Sequence, residues 1–335
     1  MQHTGYIIVL AYPETVVRLA REEFSSKIWS LFGVGGKHRV MAGHAAFLLV
    51  SKKTGAVHYF DFGRYVTSKG MGRVRSEKTD CELGIPVKAV FEEDAIANLN
   101  EILLFVESQP EKTHGEGKMI ASVNAEIDYA KAIGFIEKLQ QKRAIPYGAF
   151  VENGSNCARF VRDVLLFATN NPKTKKRLRR SKLFTPSPIG NAVNGKTEVK
   201  MFEVYKQKIR RFHCDSIVKE HKKYFFKKVS QEINKYGNMI PEKSVYSPPN
   251  GQWLSGVGSG AWFEIEKGFE ENYVISRRGS HGEVHVRDSF LVNQSGFEIE
   301  KPYEFLHGSD CNMCWVQQKR KVYVFQRILD EGGVS

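Results

Sequence analysis

The sequence predicts an α+β fold, because its strand-like and helix-like segments are segregated along the chain. A hairpin and a further strand come early and most helical segments come later, whereas a doubly wound fold would alternate the two. From Gln252 onward the hydrophobicity has a period of two, which is typical of short strands between turns. We therefore predict an antiparallel sheet with helices and a basic helical extension over residues 1–240, and a smaller, mostly β domain over residues 241–335.

The first elements follow from short apolar runs between turn residues. Residues 6–11 form a continuous apolar run that predicts a buried strand, and residues 14–32 show a mixed helical period. The clearest hairpin joins a strand over 43–50 to a strand over 57–62 through the turn at 51–55. These two strands are expected to be antiparallel neighbours.

The chain between the hairpin and the cysteine discussed below is mixed in character. Residues 63–81 are basic and polar and contain glycine, which predicts a long loop. The segments that follow predict, in order, a strand over 86–91, a helix over 95–107, a strand over 118–123 and a helix over 126–142.

In the second half of the chain, segments rich in basic and aromatic residues alternate with segments that predict strands, helices or a linker. In order, the sequence indicates a basic segment over 172–182, a strand over 199–205, a helix over much of 215–236 and a linker over 241–251. Short strands are then predicted at 262–266, 273–276, 283–286, 297–300 and 321–325.

Residues 154–166 predict a tight turn that opens directly into a helix. Gly154 permits the turn, and the side chains of Ser155 and Asn156 are of the types that cap a helix N-terminus. Cys157 therefore lies in the first turn, where unpaired N–H groups and the macrodipole favour negative charge. This position favours the thiolate, which is the nucleophilic form of cysteine. The alternative is that Cys157 fills the core as a small apolar residue.

A cysteine nucleophile needs a base and a third group that orients the base. His44 begins the first hairpin strand and His58 lies on the next, so both imidazoles can face one side if the turn is tight. Asp61 is an alternative third group, although strand alternation places it on the opposite face from His58. Tyr147 and Asn156 are further candidates for lining the pocket, or ordinary loop residues.

These residues resemble the circularly permuted papain-like superfamily of the NlpC type, which includes the lecithin:retinol acyltransferases. In that superfamily a histidine opens a strand, a polar residue lies on the next strand, and an Asn-Cys-x-x-Phe turn heads a helix. The matching segments here are Gly43-His44-Ala45-Ala46-Phe47, Val57-His58-Tyr59 and Asn156-Cys157-Ala158-Arg159-Phe160, within roughly the first 170 residues.

The resemblance implies a permuted papain-like fold and a Cys-His-His triad. Cys157 would be the nucleophile, His44 the general base and His58 the orienting residue. The activity implied is that of a thiol hydrolase (an amidase or peptidase) or an acyltransferase, with a peptide, amide or acyl-ester substrate and a thioester at Cys157. The sequence departs from the acyltransferase branch in its Ala158-Arg159 pair and its long insert before Cys157.

The net charge of +13 suggests an acidic partner and supports a second hypothesis. The domain would then be a non-catalytic binding module. Its basic loops, after Gly63 and around Lys175, would bind nucleic acid, anionic lipid or an acidic protein. Such binding should weaken steeply with salt.

The five cysteines form no recognisable disulfide framework, and no signal peptide or membrane-spanning run is apparent. We therefore predict a cytoplasmic protein, unless a dedicated secretion system exports it without a cleaved signal. No cofactor or metal is predicted, because the glycine-rich turn at 33–36 lacks a phosphate-loop pattern. Cys311-x-x-Cys314 with His307 is a single incomplete set, which we interpret as structural or incidental.

Overall fold

The computed structural model describes residues 3–18, 39–149, 151–181, 187–225, 246–269 and 272–329. The chain divides into two units. The N-terminal unit contains Met1–Gly63, Gly70–Ser76 and Leu83–Met239, and the C-terminal unit contains Arg64–Lys69, Glu77–Glu82 and Ile240–Ser335. Two short segments of the predicted loop over 63–81 thus belong to the C-terminal unit.

The strands of the N-terminal unit, in chain order, are β1 (Gly5–Tyr12), β2 (Val17–Arg18), β3 (Arg39–Val40), β4 (His44–Ser51), β5 (Val57–Gly63), β6 (Met71–Arg75), β7 (Phe91–Glu92), β8 (Ala95–Ile96), β9 (Met119–Ile127), β10 (Ile145–Pro146), β11 (Met201–Tyr205) and β12 (Lys208–Arg211). Its helices are α1 (Leu99–Glu107), α2 (Pro110–Thr113), α3 (Tyr129–Gln141), α4 (Cys157–Ala168), α5 (Pro172–Arg180), α6 (Pro188–Gly195) and α7 (Ile217–Phe225).

An eight-stranded antiparallel sheet in the order β10-β6-β5-β4-β1-β9-β11-β12 organises the N-terminal unit. Strands β1 and β4 are buried along their whole length, as expected for continuous apolar runs in the middle of a sheet. Helices α3, α4 and α6 cover one face, and α1 with the chain before it covers the other. The start of α4 therefore lies against the face formed by alternate residues of β4 and β5.

Two elements of this unit differ from the sequence prediction. The predicted strand over 86–91 is irregular except at β7; Pro86 has no N–H to donate to a ladder. The predicted loop over 63–81 contains strand β6, which pairs with β5. The basic residues of β6 suggested exposure, but Arg73 and Arg75 are buried. The predicted helix over 14–32 lies largely outside the described residues, and its described end contributes to β2.

The C-terminal unit is mostly β, which confirms that part of the prediction. Its strands are β13 (Gln252–Leu254), β14 (Ala261–Lys267), β15 (Tyr273–Arg278), β16 (Val284–Val292), β17 (Glu304–Phe305), β18 (Met313–Gln318) and β19 (Lys321–Arg327). They form an antiparallel seven-stranded sheet in the order β13-β14-β15-β16-β19-β18-β17. The predicted strand over 297–300 is absent, and there the N–H of Glu298 donates to the side chain of Gln318 instead of to a strand (3.0 Å).

The predicted helix over 215–236 is represented by α7, and the remainder of that prediction lies outside the described residues. None of the helices that the structure describes is long and apolar enough to cross a membrane.

Candidate active site

Helix α4 begins at Cys157, and the predicted N-cap at Asn156 is confirmed. The Asn156 side chain accepts a hydrogen bond from the N–H of Arg159 (2.8 Å), while its carbonyl accepts one from Phe160 (2.9 Å). The backbone N–H groups of Cys157 and Ala158 have no acceptor within the helix, because the first turn has no preceding carbonyls. Cys157 is 8% exposed and packs at the edge of the core under α4.

Arg159 holds the loop that leads into the cysteine. One nitrogen of its guanidinium donates to the carbonyls of Gly148, Ala149 and Val151, at 3.2, 3.3 and 3.1 Å. On the same loop Tyr147 forms a short bridge with Ser155. The position of Cys157 is therefore set from two directions, by the cap and by the Arg159 clamp.

Tyr147 and Asn156, the two predicted pocket residues, are both engaged in packing or capping. The Tyr147 ring stacks on Phe62 of β5, with ring centroids 5.9 Å apart and planes 8° apart. The amide of Asn156 is committed to the helix N-terminus. Both residues therefore have structural contacts that explain their presence beside the cysteine.

His44 opens β4 and is 2% exposed. Gly43 before it has φ +77°, and a Cβ there would lie 2.9 Å from the carbonyl oxygen of Tyr12, so the strand entry requires glycine. The His44 ring stacks on the Tyr12 ring, with centroids 6.2 Å apart. The imidazole is thus held against β1 at the start of its strand.

The imidazole of His44 interacts with Asp61 and lies close enough to Cys157 for that thiol to affect its pKa. Its Nε2 lies 3.2 Å from Oδ2 of Asp61. Burial lowers the pKa of His44, but the interactions with Asp61 and Cys157 outweigh it and raise the pKa from 6.5 to about 9. His44 is therefore an imidazolium at neutral pH.

Asp61 is completely buried and is surrounded by donors. Nε of Arg75 donates to Oδ1 (3.0 Å) and Nη2 donates to Oδ2 (2.6 Å), while the hydroxyl of Tyr59 also donates to Oδ2 (3.1 Å). Burial raises the pKa of Asp61, but the charge of Arg75 and the hydrogen bond from His44 outweigh it and hold the pKa well below its usual range. Asp61 is therefore a carboxylate inside the protein.

The structure brings His44 and Asp61 together, with Cys157 near enough to affect the pKa of His44, and it does not bring His58 to His44. In the register between β4 and β5, Ala46 lies opposite Asp61 and Leu49 lies opposite His58. His44 therefore shares a face with Asp61, whereas His58 lies on the other face. Along β5, His58 lies three positions before Asp61, which is about 10 Å of strand. The partner of His44 is thus Asp61, the alternative third group.

Sequence reasoning missed Tyr59 and Arg75. Tyr59 had a signal, because it lies two residues before Asp61 on one strand and so shares its face. Arg75 had none, since it occurs among the other basic residues of a segment that resembles an exposed loop. Nothing in the described ranges groups three or more His, Cys, Asp or Glu side chains as a metal site.

Comparison with known proteins finds two families. The model described as type VI secretion system effector TseH-like matches residues 7–174, which is half of the chain and contains every residue of the candidate site. The model described as DUF6695 C-terminal domain matches residues 251–328. A crystal structure of the type VI secretion system effector TseH shares 15% sequence identity, with a TM-score of 0.39, over 64% of this chain and 100% of that chain. No curated protein matches the sequence.

Proposed function

The chain belongs to the TseH-like family of type VI secretion system effectors, and on this basis we propose that it is a cysteine-dependent hydrolase that cleaves an amide bond through a thioester at Cys157. The observation that carries the proposal is the hydrogen-bonded series Arg75–Asp61–His44, whose imidazole lies near enough to Cys157 for the thiol to affect its pKa. A buried carboxylate that orients a histidine beside a cysteine at a helix N-terminus is the arrangement of a thiol nucleophile with its base.

In the first half of the reaction the Cys157 thiolate attacks the carbonyl carbon of the amide. The S–C bond forms and the carbonyl electron pair moves to the oxygen, which the N–H groups of Cys157 and Ala158 are placed to stabilise. When the tetrahedral intermediate collapses, the C–N bond breaks and the imidazolium of His44 gives its proton to the departing amine. The products are a thioester at Cys157 and a free amine.

In the second half His44 is neutral and acts as the base. It takes a proton from water, and the resulting hydroxide attacks the thioester carbon. The S–C bond breaks, and the carboxylic acid product and the Cys157–His44 ion pair remain. A hydroxyl or amine acceptor in place of water would give acyl transfer, so the same residues serve the acyltransferase alternative.

Asp61 keeps the ring of His44 in one orientation and stabilises its positive charge. Because Asp61 contacts Nε2, it fixes the orientation of the imidazole that would exchange a proton with Cys157. Arg75 and Tyr59 hold Asp61 in turn. They are positioning residues, since they act through Asp61 and not on the substrate.

The binding-module hypothesis rests on a basic surface that the structure also contains. Helix α5 has the sequence PKTKKRLRR and no acidic residue in its first turn. Burying the ionic series Arg75–Asp61–His44 costs desolvation free energy. An exposed anion-binding surface would not need such a buried series. The geometry therefore favours the enzyme, with α5 as an accessory surface for an anionic partner.

The family description also bears on location. An effector of a secretion system leaves the producing cell. The cytoplasmic prediction made an exception for a protein exported by a dedicated secretion system, and the family description corresponds to that exception. We assign the cytoplasm only to the protein before export, and we place its hydrolytic action after export.

Acylation by p-nitrophenyl acetate tests the proposed nucleophile without knowledge of the natural substrate. We expect one acetyl group on Cys157, released by hydroxylamine and absent from Cys157→Ser. We also expect slow turnover, because water completes the cycle. Cys214, half-buried and with a pKa raised by burial, is the internal comparison. Acetylation of Cys157 no faster than that of Cys214 would overturn the proposal. Screening of amide substrates would then have no basis.

A further inference from the structure

The C-terminal unit contains three free cysteines that the proposed hydrolysis does not use: Cys81, Cys311 and Cys314. Cys81 lies in the short segment Glu77–Glu82. Cys311 and Cys314 lie at the start of β18. The pattern Cys311-x-x-Cys314 drew attention in the sequence, but the structure pairs Cys311 with Cys81, which is 230 residues away.

Backbone hydrogen bonds hold the two segments together around the sulfur atoms. The N–H of Cys81 donates to Sγ of Cys311 (3.3 Å), and the N–H of Cys311 donates to the carbonyl of Thr79 (3.0 Å). The side chain of Asn312 donates to the carbonyl of Lys78. Because the backbone N of Cys81 lies 3.3 Å from Sγ of Cys311, the two side chains are close neighbours, as disulfide formation requires.

Two arginines donate to the two sulfur atoms. Nη1 of Arg277 lies 3.1 Å from Sγ of Cys311, and Nη1 of Arg327 lies 3.3 Å from Sγ of Cys81. Arg277 is itself buried and paired with Asp80 at 2.8 Å. Guanidinium donors at a sulfur favour the thiolate, which is the form that reacts with oxidants.

The two thiols of the pair are not equivalent. The hydrogen bond from Cys311 lowers the pKa of Cys81, and Arg327 adds to this effect, while burial and Glu82 oppose it. Burial raises the pKa of Cys311 well above its usual range, and the hydrogen bond to Cys81 raises it further. Cys81 is also the more accessible of the two, being half-buried where Cys311 is fully buried. Cys81 is thus the attacking sulfur and Cys311 the second, resolving sulfur.

We propose that Cys81 and Cys311 are a peroxide-sensitive thiol pair, in which a small hydroperoxide oxidises Cys81 and Cys311 then closes a disulfide. The cross-link ties Glu77–Glu82 to the start of β18, within the C-terminal unit. Because the bridged positions are 230 residues apart, it restricts the unfolded chain strongly and stabilises the folded one.

The chemistry balances with the hydroperoxide as the oxidant. The Cys81 thiolate attacks one oxygen of ROOH, so that an S–O bond forms, the O–O bond breaks, and RO⁻ takes up a proton and leaves as ROH. The sulfur of Cys311 then attacks the sulfenic sulfur. The S–S bond forms, the S–O bond breaks, and hydroxide leaves as water with the proton of Cys311. Two thiols and one hydroperoxide give one disulfide, one alcohol and one water.

Cys314, which lies in β18 three positions after Cys311, is the matched control. It is fully buried, and its thiol donates to the carbonyl of Asp310 (3.5 Å). Burial raises its pKa well above the usual range, and among the described residues no guanidinium donates to its sulfur. A Cys-x-x-Cys disulfide between Cys311 and Cys314 is the competing product to be distinguished.

The test uses the full chain carrying Cys157→Ser, so that the outcome does not depend on the proposed hydrolase. Hydrogen peroxide is added at one equivalent, remaining thiols are blocked with iodoacetamide, and peptides are mapped without reduction. We expect a cross-linked pair containing Cys81 and Cys311, lighter by two hydrogen atoms and cleaved by dithiothreitol. The link should persist in Cys314→Ser and disappear in Cys81→Ser and Cys311→Ser. Oxidation should raise the thermal midpoint by on the order of 5 °C.

Three outcomes would overturn the inference. The first is a bridge between Cys311 and Cys314, and the second is sulfinic acid at Cys81 without any bridge. The third is oxidation of Cys81 no faster than that of Cys214. If Cys311→Ser does not fold, peptide mapping of the Cys314→Ser chain still tests the inference. In that variant Cys311 is the cysteine that remains in the 311–314 segment, so a cross-link from this segment to Cys81 must involve Cys311.

Discussion

Nε2 of His44 lies 3.2 Å from Oδ2 of Asp61, and the two side chains are 2% and 0% exposed. They come from adjacent antiparallel strands, and the register of those strands brings them to one face. Arg75 neutralises Asp61 from the other side, so the carboxylate stays charged in the interior. The charge of Arg75 is thus connected through Asp61 and His44 to the thiol of Cys157.

Asp61→Asn should slow the reaction of Cys157, and it should also lower stability because Arg75 stays buried without its carboxylate, so rates are compared only where the variant is folded. The amide keeps the size of the side chain but removes the charge that raises the pKa of His44, so the imidazole loses its proton at lower pH. We expect hydrolysis of p-nitrophenyl acetate to fall on the order of 10²-fold or more. The rate of iodoacetamide labelling at Cys157, followed as a function of pH, should also fall near neutral pH.

Asp163→Asn is the matched control, because Asp163 lies on α4, is partly exposed and pairs with the neighbouring Arg162. This variant should label at Cys157 like the wild type. If both variants keep the wild-type pH profile, Asp61 has no influence on the histidine, and the triad assignment is wrong.

Arg75→Met should destabilise the N-terminal unit more than loss of an ordinary ion pair does. It leaves Asp61 buried without its main counter-charge, which costs about 3–5 kcal/mol in comparable buried pairs. Arg75→Lys restores the charge but not the two-pronged contact, so an intermediate loss is expected. Urea unfolding monitored through the N-terminal unit measures the difference.

Lys131→Met provides the comparison for Arg75, because Lys131 pairs with Asp128 at 3.0 Å in an exposed position of the same unit. Loss of such a pair costs about 0–1 kcal/mol. Equal effects of the two substitutions would mean that the Arg75–Asp61 contact contributes no more than a surface pair.

The hydrophobic pattern predicted the order of the elements well where it was continuous. The run over 6–11 became β1, the hairpin became β4 and β5, and the period of two after Gln252 became the sheet of the C-terminal unit. These signals depend on burial of apolar residues, which local sequence records directly. The N-cap at Asn156 could be predicted for a similar reason, because capping depends on residues that are close in the sequence.

The third member of the site could not be predicted as firmly, because its identity depends on the pairing register of β4 and β5. His58 and Asp61 lie three residues apart on one strand, and the choice between them requires the pairing of Ala46 with Asp61. Strand β6 was missed because a buried arginine looks like an exposed one until its partner is known. Arg75 is buried only because Asp61 is buried with it. Long-range ionic pairs of this kind leave no local pattern.

The stability of the N-terminal unit should fall as the pH rises through about 9. The pKa of His44 is raised from 6.5 to about 9 in the folded state, so the protonated form stabilises the fold fully below pH 6.5. That stabilisation is lost as the pH passes the folded value. The pKa of Asp61 is lowered, so its contribution is present above the usual carboxyl range and is lost in acid.

Unfolding free energies at pH 6.5 and at pH 9.5 test this dependence. From the size of the pKa shift of His44, we expect the unfolding free energy to fall by on the order of 3 kcal/mol between these two pH values. His44→Gln should be less stable at pH 6.5 and should show a flatter profile over the same interval. A wild-type profile that stays flat to pH 9.5 would show that His44 does not gain a proton affinity on folding.

Asn156→Ala should affect both the stability of α4 and the reactivity of Cys157. The substitution removes the acceptor for the N–H of Arg159, which typically costs about 1 kcal/mol at an N-cap. The first turn then frays, and the N–H groups near the thiolate lose their fixed orientation. We expect slower labelling of Cys157 by iodoacetamide, and Asn156→Ser should restore most of both properties because serine also caps.

Asn171→Ala separates the two effects, since Asn171 caps α5 through the N–H of Thr174 (2.9 Å). It should lower stability by a similar amount and leave the labelling of Cys157 unchanged, because α5 does not contain the nucleophile. If Asn156→Ala lowers stability as Asn171→Ala does and Cys157 keeps its rate, the helix N-terminus contributes nothing to the reactivity of the thiol. The His44–Asp61 pair would then be its whole cause.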